Sequence, residues 1–337
     1  MDTGKKRQIM NSLRLQIIQI NVSIKSLSNM KTKRINISLI LLLISNIILA
    51  QQDALFTQYT FNKLLVNPAY AGSKDGMNLN LANRTQWIGI SGAPNTLTLS
   101  AHTAVRENRV GLGLNILRDA IGPTVTTGFL GTYAYRLISE TAAISFGIQA
   151  GVLYYDFNYA EMNLRDQDYL FDPTNVRRFV PDVNVGFYYQ TEKFFAGLSS
   201  KHLLENDYGF VIKENTSSFE RLSRHFYLMA GTVIPLVEDI VLRPSGLVKF
   251  VKGAPVQADV NASIFFKNRF MLGASYRTEK AVALMTELGL SEKIKLGLSY
   301  DFYFNELQPH NYGSAEIRLT FHFVKTEKEQ NLSIAYF

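Results

Sequence analysis

The chain has 337 residues, no cysteine and a formal charge of +7. Without cysteine there is no disulfide scaffold, thiol nucleophile or thiolate metal site. Residues 1–50 carry eight of the 35 basic side chains and one of the 28 acidic ones, which leaves 27 of each in the remainder. A neutral remainder has no general electrostatic reason to bind nucleic acid, so the excess charge reads as targeting.

That targeting reads directly from the N-terminus. Met30-Lys31-Thr32-Lys33-Arg34, the apolar stretch Ile35 to Leu49 and then Ala50-Gln51 have the proportions of a secretory signal peptide over residues 30–50, with cleavage expected after Ala50. Residues 1–29 then stand as an extension upstream of the true start. Residues 51–76 are neither alternating nor amphipathic at helical period, and are expected to form a periplasmic lead-in or plug. Within them Pro68 restrains Asn67 to extended geometry and Gly72 permits a turn.

From Met77 to Phe323 the pattern changes to short strands of period two. Leu97, Leu99 and Ala101 alternate with Thr98, Ser100 and His102. Val110, Leu112, Leu114 and Ile116 alternate with Gly111, Gly113 and Asn115, and Ile317, Leu319, Phe321 and Phe323 with Arg318, Thr320 and His322. The joints are in turn short and long. Arg106-Glu107-Asn108, Ser139-Glu140-Thr141 and Thr191-Glu192-Lys193 are tight and polar. The intervening stretches Arg84 to Pro94, Asp119 to Thr124, Asp156 to Asp182, His202 to Arg224 and Asn305 to Gly313 read as long. A soluble sheet also alternates, but it does not require this asymmetry. The pattern predicts an all-β fold, a transmembrane antiparallel β-barrel of about 14 strands with short periplasmic turns and longer extracellular loops. Tyr154, Tyr155, Tyr188, Tyr189, Phe265, Phe266 and Tyr303 near strand ends suggest aromatic girdles at the lipid interfaces, and residues 324–337 are left as a C-terminal tail.

Signatures of catalysis are missing. There is no Gly-x-Ser-x-Gly elbow and no phosphate-binding glycine loop, and the histidines (His102, His202, His225, His310, His322) show no metal-ligand spacing on one strand face. Asp166, Asp168 and Asp172 share their loop with Arg165, Arg177 and Arg178, which favours salt bridging over a calcium site. No enzyme activity, cofactor or metal is expected.

Two blocks of residues carry more specific information. Gln58-Tyr59, Phe61-Asn62 and Asn67-Pro68-Ala69-Tyr70-Ala71-Gly72 are followed by Arg84, Gln86-Trp87, Gly89, Gly92 and Pro94. This progression resembles the N-terminal signature of the PorP/SprF family of type IX secretion system membrane proteins. The resemblance implies a multi-pass barrel in outer-membrane lipid that serves a protein secretion and gliding apparatus. The partners it implies are a periplasmic lipoprotein ring, a peptidoglycan-binding subunit and a secreted surface adhesin. Trp87 would be an interface anchor, Gly92 and Pro94 turn formers, and Asn67 and Pro68 the bend of the lead-in. A porin-like or hydrophobic-solute channel is the alternative, since polar positions such as Gln149, Asn184, Asp259 and Glu287 would suit a watery lumen.

Overall fold

In the computed structural model the described residues are 53, 54, 56–158, 176–208, 221–267, 269–306 and 308–323. They lie in the compact unit Gln51–Phe337. The expected signal peptide, the upstream extension, the acidic cluster at Asp166 to Asp172 and the C-terminal tail fall outside them.

Among the described residues fifteen strands form one antiparallel sheet that closes on itself. They are β1 (Met77–Thr85), β2 (Asn95–Val105), β3 (Val110–Ile121), β4 (Thr124–Ile138), β5 (Ala142–Phe157), β6 (Val176–Thr191), β7 (Phe194–Lys201), β8 (His225–Thr232), β9 (Ile234–Val237), β10 (Ile240–Val251), β11 (Gln257–Phe266), β12 (Phe270–Arg277), β13 (Ala281–Gly289), β14 (Ile294–Tyr303) and β15 (Ser314–Phe323). Consecutive strands pair, and closure comes from β1 on β15, in register from Met77↔Phe323 to Thr85↔Ala315. Among the described residues every strand but the four-residue β9 pairs on both sides, which satisfies the backbone polar groups that hydrocarbon cannot.

β8 and β9 are two pieces of one spanning strand, both paired with β10, so the barrel has fourteen staves. The break at Val233 faces the stretch of β10 that holds Pro244, which has no N–H to give the ladder.

Alternation sorts the side chains as the sequence predicts. Leu97, Leu112, Leu114, Leu298, Phe302 and Ile317 are exposed on the outer face, while Thr98, Ser100, Asn115, Ser299, Asp301 and Arg318 are buried inside. The aromatic reading needs correction. Tyr188, Phe265 and Tyr303 are buried in the interior instead of girdling the barrel, because period two turns them inward from their exposed neighbours. Val110 is likewise buried.

Two connections expected to be long are not. Asp119 to Ala120 and Thr124 belong to β3 and β4, which pair up to Ile121↔Thr124 around Gly122-Pro123, with Gly122 at φ +53°. Glycine accepts the left-handed geometry that a two-residue hairpin needs and proline fixes the next φ. The expected loop from Asp156 to Asp182 is also shortened, since β6 begins at Val176 and Asp156 pairs with Arg177. β5 and β6, at 16 residues each, outrun the roughly 9–11 residues that cross a bilayer.

Candidate functional site in the barrel interior

The interior is filled by the chain's own lead-in. Residues 57–73 fold as successive 3-10 turns, Gln58–Thr60, Lys63–Leu65 and Pro68–Tyr70, with short joints between them. Short turns suit a segment that must bend every few residues and satisfy its polar groups on the surrounding wall. The direction of travel is set by contacts at its two ends. Near its start, Thr57 donates from N to Glu316 Oε2 at 2.8 Å and from Oγ1 to Asp301 Oδ1 at 2.8 Å, both on staves next to the long connections. At its end Gly72 N donates to His102 Nδ1 at 3.2 Å, and a Cβ added at Gly72 would overlap the Gly111 backbone at the short-turn end. The segment therefore traverses the lumen from the long-loop end to the short-turn end, where β1 begins.

The motif residues of this segment line up along that path. Gln58 is buried and donates from Nε2 to Glu316 O, and its Oε1 accepts from Arg318 Nε at 3.0 Å. Tyr59 OH accepts from Asn261 Nδ2 at 2.6 Å. Phe61 lies between the guanidinium groups of Arg243 and Arg318, at 4.7 and 4.6 Å from its ring centre. Asn62 donates to Ser100 Oγ at 3.0 Å. Asn67 caps the third turn, its Oδ1 accepting from Ala69 N at 2.9 Å while its Nδ2 donates to Phe187 O at 2.9 Å. That cap is the reason for asparagine before proline: one side chain turns the segment and fastens it to β6. Tyr70 packs edge-on against Tyr188 and His102, and Gly72 takes φ +74°.

The wall is shaped to receive it. A Cβ added at Gly111 would overlap Ala71 O, one at Gly147 would overlap Ala69 N, and one at Gly186 would overlap Asn67 Oδ1. The apolar side of the segment packs on Tyr188, Phe195, Tyr227, Met229, Phe265 and Met285. Lys63 is fully buried, donates to Thr60 O at 3.0 Å and lies 4.5 Å from the Phe195 ring centre. A cavity of about 40 Å³ remains beside the segment, lined by Tyr59, Lys201, Tyr227, Lys249 and Asp259 among others.

The second motif block sits at the long-loop end. Arg84 bridges Asp301 at 2.6 Å and Glu316 at 3.5 Å and also donates to Thr57 Oγ1 at 2.9 Å. Gln86 is buried, with its N donating to Pro94 O at 2.9 Å. Trp87, at φ +49°, donates from its backbone N to Ser314 Oγ at 3.0 Å, and Gly89 at φ +100° lies against Tyr312. Gly92 accepts from Gly122 N at 2.8 Å, tying this connection to the neighbouring hairpin. The two motif blocks thus meet at Glu316, which accepts from Gln58 N at 3.2 Å and pairs with Arg84 at 3.5 Å, whereas Gln86 to Pro94 belong to the long connection between β1 and β2.

A third grouping gave no signal in the sequence. Asp53 Oδ1 faces His202 Nε2 at 2.8 Å, Asp53 Oδ2 accepts from Lys201 Nζ at 2.8 Å and from Tyr227 OH at 3.0 Å, and His225 lies beside them. Burial opposes a charged His202, but the Asp53 and Asp182 carboxylates outweigh it and push the imidazole up to about 9. Separations of 148 residues to Lys201, 149 to His202 and 174 to Tyr227 keep Asp53 and its partners out of any one sequence window.

The family model described as "Type IX secretion system membrane protein PorP/SprF" matches residues 48–321. The chain belongs to that family. Comparison with curated proteins returned no match. Among solved structures, the PorP/SprF chain is similar to the Ralstonia pickettii toluene transporter TbuX, at 8% identity and a TM-score of 0.48, over 77% of this chain and 93% of the other. It is similar to the P. putida toluene transporter TodX at 9% identity and a TM-score of 0.45, over 77% and 94%. The Acinetobacter baumannii outer membrane protein Omp33 is similar at 7% identity and a TM-score of 0.44, over 75% and 100%.

Proposed function

We propose that this PorP/SprF protein is a plugged outer-membrane barrel of the type IX secretion and gliding apparatus, working through protein-binding surfaces and passing no solute. The observation that carries this reading is the occupied interior: residues 57–73 are buried along a lumen that a channel would keep open. Gln149, Asn184, Asp259 and Glu287, which would suit a watery pore, instead hydrogen-bond or ion-pair within the wall, as in Gln149 Nε2 to Thr132 Oγ1 at 2.8 Å and Asn184 Nδ2 to Gln149 Oε1 at 3.0 Å.

Partner contacts divide between the two rims. The short turns, with residues 73–76, are the surface offered to periplasmic ring and peptidoglycan-binding subunits, and the long connections are offered to a secreted adhesin. The buried part of the lead-in is unavailable for docking, so its motif residues support partner binding only by holding the barrel's shape. The test is the cell-surface and secreted proteome of a clean deletion strain against its parent. Loss of many exported proteins is expected for a core component and loss of one large adhesin for a dedicated cargo partner. An unchanged profile, together with solute flux through reconstituted liposomes, would replace this reading with the porin-like channel.

A further inference from the structure

Asp53, His202 and His225 each offer one ligand atom, and these atoms lie within 4.8 Å of one another. The tautomers are fixed by what lies behind each ring. His225 Nδ1 is 2.8 Å from Ser223 O, a carbonyl that can only accept, so Nδ1 carries the proton and Nε2 carries the lone pair. That Nε2 is buried, on a residue with no exposed surface, and has no hydrogen-bond partner among the described residues. A buried acceptor without a donor costs free energy that a bound ion would recover. His202 Nδ1 faces Asp182 Oδ1 at 3.1 Å, a carboxylate behind a histidine that turns Nε2 forward. On Asp53, Oδ2 accepts from Lys201 and Tyr227, and Oδ1 faces the His202 ring at 2.8 Å.

We propose that Asp53, His202 and His225 bind one divalent transition-metal ion of the zinc class, which staples the start of the lumen segment to the long-loop ends of β7 and β8. Two imidazoles and one carboxylate are a sufficient donor set, with a fourth position left for water. The hydrogen-bond acceptors that such ligands need, a carboxylate behind the His202 ring and a backbone carbonyl behind the His225 ring, are already in place. In a tetrahedral site with bonds near 2.0–2.1 Å the donor atoms stand roughly 3.3 Å apart. His202 Nε2 and Asp53 Oδ1, now at 2.8 Å, would open by about half an ångström, and donor atoms that stand as far as 4.8 Å apart would close by up to about 1.5 Å as the His225 ring swings in. The ion takes the place of the proton that these two atoms share, and that proton leaves to solvent. Lys201 has room to withdraw its ammonium into the adjoining cavity that it helps to line. The inference rests on side-chain geometry alone and is independent of the proposed secretion role.

The experiment uses the full chain, refolded in detergent, stripped with chelator, loaded with excess Zn2+ or Co2+ and passed over a desalting column. One equivalent of Zn2+ per chain should be retained, and the Co2+ form should show the visible absorption of a four-coordinate nitrogen and oxygen site. Asp53→Asn and His225→Ala should lose the ion while still showing the heat-modifiable migration of a folded barrel. Asp182→Asn should weaken binding by about 10- to 100-fold. Lys201→Met, which removes the competing cation, should retain the ion. Folded wild-type protein that keeps no stoichiometric metal would overturn the proposal, as would equal retention by wild type and both ligand variants. Should His225→Ala fail to fold, the isosteric Asp53→Asn decides the matter.

Discussion

Arg84 shows how much one side chain of the interior carries. Its guanidinium is buried to 1% exposure against the equally buried carboxylates of Asp301 and Glu316. Removing one partner of a buried pair leaves the other charge without compensation, at a cost of about 3–5 kcal/mol. Arg84→Met is therefore expected to lower stability by that order in equilibrium urea unfolding in micelles. Arg277, 3.6 Å from Asp301, should keep the loss toward the lower end. A second residue-scale prediction concerns the wall glycines. Gly147→Ala places a methyl group on the backbone of Pro68 and Ala69, which cannot move aside without shifting the segment. A loss of about 1–3 kcal/mol is expected by the same measurement. Gly131→Ala is the control: its nearest neighbour is 3.9 Å away, and the change should stay within about 0.5 kcal/mol.

Among elements, the lumen segment and the barrel wall depend on each other unequally. The wall closes by its own ladder, with β1 paired to β15 and β10 to β11. The segment has only isolated 3-10 turns and could not hold this path alone. Deleting residues 51–73 should thus leave a closed barrel with an open interior. Planar-bilayer recordings are expected to show stepwise conductance for the deletion and none for the full chain; equal silence from both would mean that the wall collapses or the lumen is closed by something else. The break between β8 and β9 belongs to this scale as well. Opposite Pro244 the ladder is thinnest, so amide exchange should be fastest there within the β8 to β10 region.

For the whole molecule, the outer surface and the interior obey opposite rules from the same strands. Outward residues such as Phe129, Leu228, Val260 and Leu284 are exposed and apolar. The interior holds ion pairs such as Arg277–Asp259 at 3.2 Å and Arg318–Glu287. This inversion of the usual soluble arrangement is what lipid outside and a polar, self-filled lumen inside would select. A charge on the outer face should therefore be costly where an inward charge is tolerated. Leu284→Lys is expected to lower barrel stability by about 2–4 kcal/mol in lipid, measured by urea unfolding in liposomes, and to change little in a detergent that lets the lysine reach water.

The barrel was legible because each of its determinants is local. Period-two alternation in Leu97 to His102 or Ile317 to Phe323 records two solvents on the two faces of one strand, and Arg106-Glu107-Asn108 records a tight turn as a short polar break between two such runs. The motif block from Gln58 to Gly72 was legible as a unit of unusual composition. Where it goes was decided by contacts far away in the chain: Thr57 to Asp301, Asn67 to Phe187 and Ser199 to Val66 O. Tyr188 and Tyr303 look like girdle residues from their place near strand ends, but alternation along β6 and β14 already puts them on the inward face. Asp53, His202 and His225 belong to three separate stretches with no shared spacing, so nothing local could have joined them. Sequence determines what a strand's faces are, because alternation is a nearest-neighbour property. Tertiary structure decides what fills the space those faces enclose, because that depends on which distant side chains closure brings to one point.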